Sequence, residues 1–393
     1  MEFTSAATLL GTSDRAVADL AGQLEAAMDP ASFDLALLFC TPHFEDELES
    51  ILADLSSRLP GATLLGCTAE GTIGVDREMQ RGCSMAVLAG SMPGVEIRPF
   101  DVDQSRLADG GGAEPWAEVL GVQNGRRSLI LALGDPFSFD IQRFLERIND
   151  ELPGVPIVGG MASGAEGPGQ NRLFVDGRTH REGLVGVTLS GGLSVRTVVS
   201  QGCRPIGEPL LVTRGDGNVI RELGGRPALQ QLSRVIQGLP EQDIKLARHA
   251  LFVGRVINEY QEAFARGDFL IHNIISFDPD SGALAIAAPV KVGSTVQFHV
   301  RDADCADEDL RSLLGAVSPS CAESPPAAAI LFSCNGRGMR MWPQEGHDVS
   351  VLRELCGPVP VAGFFAGGEI GPVGGRNFIH GFTASIALLS AAE

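Results

Sequence analysis

The side chains best suited to nucleophilic or metal chemistry are eight cysteines and seven histidines, and their spacing is unpromising for both. Cys40, Cys67, Cys83, Cys203, Cys305, Cys321, Cys334 and Cys356 contain no CxxC pair. Most sit in apolar runs such as Ala36-Leu37-Leu38-Phe39-Cys40, which fits buried free thiols in a reducing compartment. No histidine lies at helical spacing from another His, Cys or carboxylate in a way that reads as zinc or di-iron ligation, so no metal is expected. There is no GxSxG elbow, no HExxH, no GxGxxG and no GxxxxGK[ST]. Asp278 and Asp280 lack the later ligands of a calcium loop and read as a turn. No catalytic residue is assigned. Cys334 keeps two readings open. It precedes Asn335-Gly336-Arg337, whose guanidinium favours a thiolate, and it also ends an apolar strand, where a small packed residue is expected. His272 and His380 lie in apolar strands and are the residues nearest to a haem-ligand pattern, but each reads more simply as a core or turn histidine.

The elements that must position these groups are written three times. The first copy opens with the strand Leu35 to Phe39, followed by a helix over His43 to Leu59 with Phe44, Leu48, Ile51, Leu52 and Leu55 on one face. Pro60-Gly61 stops it, and the strand Thr63-Leu64-Leu65 runs into Gly66-Cys67-Thr68-Ala69-Glu70-Gly71. The second copy runs Leu129 to Leu133, a helix over Phe139 to Leu152, Pro156-Ile157-Val158, then Gly159 to Gly164. The third runs Ala329 to Phe332, a helix over Asp348 to Leu355, Val359 to Ala362, then Gly363-Phe364-Phe365-Ala366-Gly367-Gly368. Two glycines five apart follow the second strand each time: Gly66 and Gly71, Gly159 and Gly164, Gly363 and Gly368. These loops lead to a further strand, whereas a phosphate-binding loop opens a helix, so no nucleotide site is expected. Turn geometry and a ligand-lining role both remain open for the glycines.

Between the second and third copies the pattern changes. A helix is expected over Gly225 to Leu239, strands over Ala250 to Ile257 and Val296 to Val300, and a hairpin over Leu270 to Val290 around Asp278-Pro279-Asp280-Ser281-Gly282. Acidic residues from Asp302 to Asp309 mark a helix start. Ala108 to Gly125 and Gly315 to Pro326 read as surface connections. The predicted fold is α/β, with repeated strand–helix–strand–Gly loop–strand units forming mixed sheets in two domains. The expected boundaries are an extension over 1–32, a first domain over 33–224 and a second over 225–393.

A chain of 393 residues exceeds one ordinary core, and 44% apolar with 20% charged residues excludes disorder. The net charge of −19 disfavours nucleic acid and the anionic face of a membrane. No apolar run reaches the length of a membrane span, and the acidic Glu2 is unlike a signal peptide, so a cytoplasmic location is expected.

Four stretches resemble the FIST family, which pairs an N-terminal with a C-terminal domain. They are Gly66 to Gly71, Phe269 to Ile275, Leu331 to Gly338, and Val361 to Pro372. The resemblance implies small-ligand sensing, with amino acids as the ligand class. Some relatives bind haem and sense nitric oxide, and F-box relatives recruit substrates. Residues 1–32 are too short for an F-box, and no output domain is attached, so a signal is expected to leave through a protein partner. No cofactor is assigned; haem, an enzyme using Cys334 and a ligand-free scaffold stand as alternatives. The ligand is expected where the Gly-rich loops converge, held by Thr68, Glu70, Cys334, Asn335, Arg337 and Glu369, with Phe364 and Phe365 as an apolar wall and Gly66, Gly71, Gly363 and Gly368 shaping the loops. Glu369 would hold an ammonium group and Arg337 a carboxylate.

Overall fold

The computed structural model describes residues 1–108, 114–123 and 127–392. Of the expected connection from Ala108 to Gly125, residues 109–113, 124 and 125 lie outside them. The described chain divides into two compact units. Unit 1 comprises Met1–Val199, Leu310–Ile379 and Thr383–Glu393; unit 2 comprises Ser200–Asp309 and His380–Phe382.

All three sequence copies fall in unit 1, and each builds the same parallel pair. Leu35–Cys40 runs parallel to Thr63–Thr68, Ser128–Gly134 to Ile157–Met161, and Ala328–Cys334 to Val361–Ala366. The crossover helices are Leu48–Arg58, Ile141–Glu151 and His347–Cys356. Their buried faces carry the residues that the helical spacing selects, such as Leu48, Ile51, Leu52 and Leu55. The first helix opens as a 3₁₀ segment over Pro42–Glu47, the tighter turn common at helix starts. A return strand then pairs antiparallel with the first strand of its own copy: Met85–Ser91, Leu184–Gly191 and Thr383–Ala391.

The copies are joined by exchanged hairpins. The hairpin of the first copy, Thr72–Gly74 with Arg77–Met79, pairs onto the third copy's second strand, with Ile73 opposite Gly363. That of the second, Leu173–Val175 with Arg178–His180, pairs onto the first copy, with Phe174 opposite Gly66. That of the third, Glu369–Val373 with Arg376–His380, pairs onto the second, with Ile370 opposite Gly159. The exchange closes into a ring of three six-stranded sheets. Their outer edges are Glu2–Thr8, Val95–Val102 and Leu193–Gln201. Residues 1–32, read from sequence as an extension, therefore supply an edge strand and the helix Ser13–Ala27, which buries Val17, Leu20 and Leu24. The shared core takes Leu37 and Leu65 from the first sheet, Leu131 and Val158 from the second, and Ile330 and Phe364 from the third. Each such side chain is worth about 1.5–3 kcal/mol when fully buried, so a sheet parted from its neighbours forfeits much of its stabilisation.

The paired glycines have a common cause. A Cβ on Gly66 would stand 1.8 Å from Leu38 O, on Gly159 1.8 Å from Ala132 O, and on Gly363 1.7 Å from Leu331 O. None of the three has positive φ. Close approach of the parallel neighbour demands them, rather than turn geometry.

In unit 2 the strand Cys203–Asp216 pairs with Thr295–Arg301 on one side and Val219–Leu223 on the other. With Leu251–Val256, Phe269–Asp278 and Ala283–Ile286 between them, the sheet closes on itself around Val253, Leu284, Phe298 and Val300. The turn at Asp278 is as expected, with Asp280 N donating to Asp278 Oδ1 at 3.0 Å. Gly224 and Gly225 lie within this unit with φ of 56° and 75°, and the helix expected from Gly225 starts at Ala228. The stretch from Gly315 is a correction: Ala303–Glu323 is one helix, with Pro319 inside it. Leu310, Leu314 and Cys321 bury its apolar side, and that packing overrides the Gly and Pro signals.

Candidate functional site

The three Gly-rich loops meet at the ends of their parallel strands in unit 1. Glu70 N donates to Ser163 Oγ at 2.9 Å, and Ser163 Oγ donates to Phe365 O. Phe365 N donates to Gly71 O at 3.0 Å, and Gly367 N to Met161 O at 2.9 Å. The convergence expected from sequence is present, but the loops fill it with one another. Ser163, from the second copy, bridges the outer two.

The third copy carries the concentrated chemistry. Its first strand ends at Cys334, whose carbonyl accepts from Arg337 N at 2.8 Å. This tight turn tucks Arg337 inward until its side chain is 0% exposed. The guanidinium grips Asp348 in bidentate fashion, Nε to Oδ2 at 2.9 Å and Nη2 to Oδ1 at 2.8 Å. Asp348 stands in the first turn of His347–Cys356, where the helix dipole favours an anion. It also accepts from Ser333 Oγ at 2.8 Å and meets His347 Nδ1 at 2.9 Å. Glu78 enters from the exchanged hairpin of the first copy, and its Oε1 accepts from Val349 N at 3.1 Å. Arg337 Nη1 and Glu78 Oε2 are buried with no hydrogen-bond partner. Trp342 lies over the guanidinium at 5.0 Å and stacks on His347 at 3.6 Å.

The electrostatics divide the carboxylates. Burial alone would raise Asp348, but the Arg337 charge and the hydrogen bonds from His347 and Arg337 hold it well below the usual range. Glu78 is pushed up to about 7 by burial and by the negative charge of Asp348, against the pull of its backbone donors and Arg337. Glu369 is pushed up to about 8 by burial, opposed by hydrogen bonds from Thr383 and the Cys334 thiol. Its Oε2 accepts from Thr383 N at 3.1 Å and Thr383 Oγ1 at 2.7 Å.

The residues selected from sequence are therefore brought to one region but placed differently within it. Thr68 is buried and accepts from Arg172 N at 2.9 Å. Glu70 is at the surface, paired with Arg340 Nη1 at 3.2 Å. Asn335 N donates to Ala366 O at 2.9 Å, and Phe365 is buried. Gly71 and Gly368 pack close to Met79 O and Ile379. Cys334 is 6% exposed, and its Sγ accepts from Gly336 N at 3.4 Å. Arg337 does not present an open fork, because Asp348 fills it. Glu369 is not the counterpart of Glu70: it opens the exchanged hairpin as Thr72 does, and Thr72 bonds Ser84 as Glu369 bonds Thr383. Glu78, Asp348, Trp342 and His347 were missed. Asp348 had one signal, an acidic residue at a helix start; Glu78 had none, since only the hairpin exchange brings it here. Two clefts flank the segment after Arg337. One, of about 510 Å³, is lined by Leu9, residues 76–81 and Glu345; the other, of about 300 Å³, includes Arg311, Trp342, Glu345 and His347. Among the described residues no group of three or more His, Cys, Asp or Glu is placed to hold a metal ion, and no helix is long and apolar enough to cross a membrane.

A repeated, hairpin-exchanged α/β unit with a second, smaller unit inserted before its last copy is the class of protein defined so far. The chain belongs to the FIST family: the FIST N domain matches residues 34–226 and the FIST C domain residues 228–372. FIST domains are generally sensory domains of signal transduction. The uncharacterized protein Rv0628c of Mycobacterium tuberculosis is 42% identical over 378 residues, covering 95% of this chain and 96% of that protein. The uncharacterized protein Mb0898c of Mycobacterium bovis is 40% identical, covering 95% of each. Among solved structures, a cyanuric acid hydrolase from A. caulinodans aligns over 100% of this chain and 99% of its own at 10% identity and a TM-score of 0.35, too distant to bear on function.

Proposed function

We propose that this chain is a sensory module that binds a small charged ligand, with amino acids as the favoured class, and signals through a protein partner. The observation that carries this reading is the buried cluster of Arg337, Asp348 and Glu78. Buried charges are costly unless fully paired, and an incompletely satisfied cluster is kept where something else is gained. Here Arg337 Nη1 and Glu78 Oε2 lack partners, and the cluster is capped by a segment with positive-φ glycines at both ends, Gly338 at 54° and Gly346 at 85°. Such glycines let the segment move without backbone strain. A ligand with a carboxylate and an ammonium group meets the demand of both orphan atoms once Trp342 swings aside. The family assignment supports the sensory role, and the partner is the route by which a module of this kind reports.

The test is native mass spectrometry of the purified protein, followed by titration with the common amino acids read by thermal shift. Wild type is expected to retain or bind one small molecule per chain, and Glu78→Gln to weaken that binding at least tenfold. A bare wild-type mass together with no response to any amino acid sinks the reading.

A further inference from the structure

We propose that Cys321 and Cys356 are a modification site of unit 1, a dithiol that closes reversibly to an intramolecular disulfide. Cys321 lies in the last turn of the helix Ala303–Glu323, and Cys356 is the final residue of His347–Cys356. Their sulfurs are 3.7 Å apart, in contact but unbonded. A disulfide needs an S–S distance of about 2.05 Å, so the two must approach by roughly 1.7 Å. The helices are already in the required register, because Arg311 Nη1 meets Glu354 Oε2 at 2.9 Å and Ser318 Oγ donates to Leu355 O at 2.8 Å. Both cysteines stand where a helix end can give. Pro319 removes a backbone donor just before Cys321, and Gly357, with φ of 84°, follows Cys356.

The oxidant is a small-molecule disulfide. Cys356, 8% exposed against 4% for Cys321, is the first to react. Its thiolate attacks one sulfur of the oxidant, forming a mixed disulfide and releasing one small thiolate. The Cys321 thiolate then attacks the Cys356 sulfur of that mixed disulfide and releases the second. Two electrons pass from the cysteines to the oxidant, and the two cysteine protons end on the released thiols or in water. Burial and the neighbouring Cys321 push Cys356 up to about 12, so the reaction is slow at neutral pH and accelerates about tenfold per pH unit below that value. The bridge would pin the far end of the helix that presents Asp348, but the proposal does not depend on the ligand reading.

The experiment treats the full chain with oxidised glutathione at pH 8, then alkylates under denaturing conditions and measures intact and peptide masses. Wild type is expected to lose two hydrogens and yield a linked peptide pair containing Cys321 and Cys356, reversed by dithiothreitol. The oxidised protein should melt several degrees higher, because the link constrains the unfolded chain. Cys321→Ser should give no linked pair and leave a glutathione adduct on Cys356. The half-buried Cys83 serves as the reference thiol. If Cys83 acquires glutathione while Cys321 and Cys356 are both recovered as free thiols, or each carries its own adduct, the proposal is wrong.

Discussion

Replacing Glu369 by Gln should make the protein more stable at neutral pH, although it alters a buried polar residue. Glu369 is 0% exposed, and burial raises it from an ordinary value of 4.5 to about 8. A carboxyl raised in the folded state binds its proton more tightly there than in the unfolded chain. Below about pH 4.5 both states are protonated, and the stability associated with the group is fully present. As pH rises from 4.5 to 8 the unfolded chain releases the proton and the folded protein does not, so stability is lost across that window. At about 1.36 kcal/mol per unit, the loss is roughly 3 kcal/mol at pH 7 and levels off near 5 kcal/mol above pH 8. A glutamine is neutral throughout and still accepts from Thr383, so it escapes the loss. Any fixed cost of the new N–H group is independent of pH. The assay is urea unfolding of both proteins at pH 5, 6, 7 and 8, followed by tryptophan fluorescence; Trp116 and Trp342 both report on unit 1, where Glu369 sits. The stability difference between variant and wild type should climb by about 1 kcal/mol or more per pH unit. A difference that stays flat from pH 5 to 8 would mean that Glu369 ionises at an ordinary value, and the argument from burial fails.

Gly363→Ala should leave no folded unit 1, because the new Cβ would lie 1.7 Å from a backbone carbonyl that cannot yield; Gly315→Ala, with nothing within 4 Å in a helix, should gain up to about 1 kcal/mol. Soluble Gly363→Ala with a wild-type melting curve contradicts the close-approach account. Hemin added to the protein should give no sharp Soret band and no one-to-one retention on gel filtration. His272 is pushed down to about 3 by burial, Arg255 and His380, an environment that disfavours added positive charge as well as protonation. A tight complex abolished by His272→Ala would reverse that expectation.

The repeat was legible because each copy carries its own helix stop and its own glycine pair, signals that are local in sequence. Gly66, Gly159 and Gly363 were found for that reason, but the cause was hidden, since the clashing carbonyls come from strands 27 to 32 residues earlier, Leu38, Ala132 and Leu331. The hairpin exchange left no trace, because pairing partners more than 100 residues apart, such as Ile73 and Gly363, share no local pattern. The same blindness governed the site. Arg337 and Glu369 were selected as polar residues in apolar surroundings, which is how buried charges look in a sequence. Their states were not legible: occupation of Arg337 by Asp348 depends on how the third crossover helix docks, and neutrality of Glu369 depends on its burial. Glu70 and Glu369 each adjoin a loop glycine, Gly71 or Gly368, but Glu70 precedes its glycine and Glu369 follows it, so they stand two positions apart in the repeat: Glu70 in the exposed loop, Glu369 opening the buried exchanged strand.

The three copies also show why the chemistry settled in one of them. After the first strand the first copy continues Thr41-Pro42-His43, the second Asp135-Pro136-Phe137, and the third Asn335-Gly336-Arg337. Proline fixes φ and has no N–H. Gly336 has both freedoms, and its N–H donates to Cys334 Sγ at 3.4 Å while the next residue turns back to bond Cys334 O. That turn carries Arg337 under the cap instead of out to solvent. The matching first-copy residue, His43, is exposed and bonds only locally, Nδ1 lying 3.1 Å from Thr41 Oγ1. Phe137 in the second copy is 43% exposed. Burying a guanidinium then requires an anion, which the third helix supplies as Asp348, and the ring of exchanged hairpins adds Glu78 from the first copy. The third copy thus gains a fully buried Arg337–Asp348 pair with Glu78 beside it, and the first copy is tied to it through the hairpin it contributes.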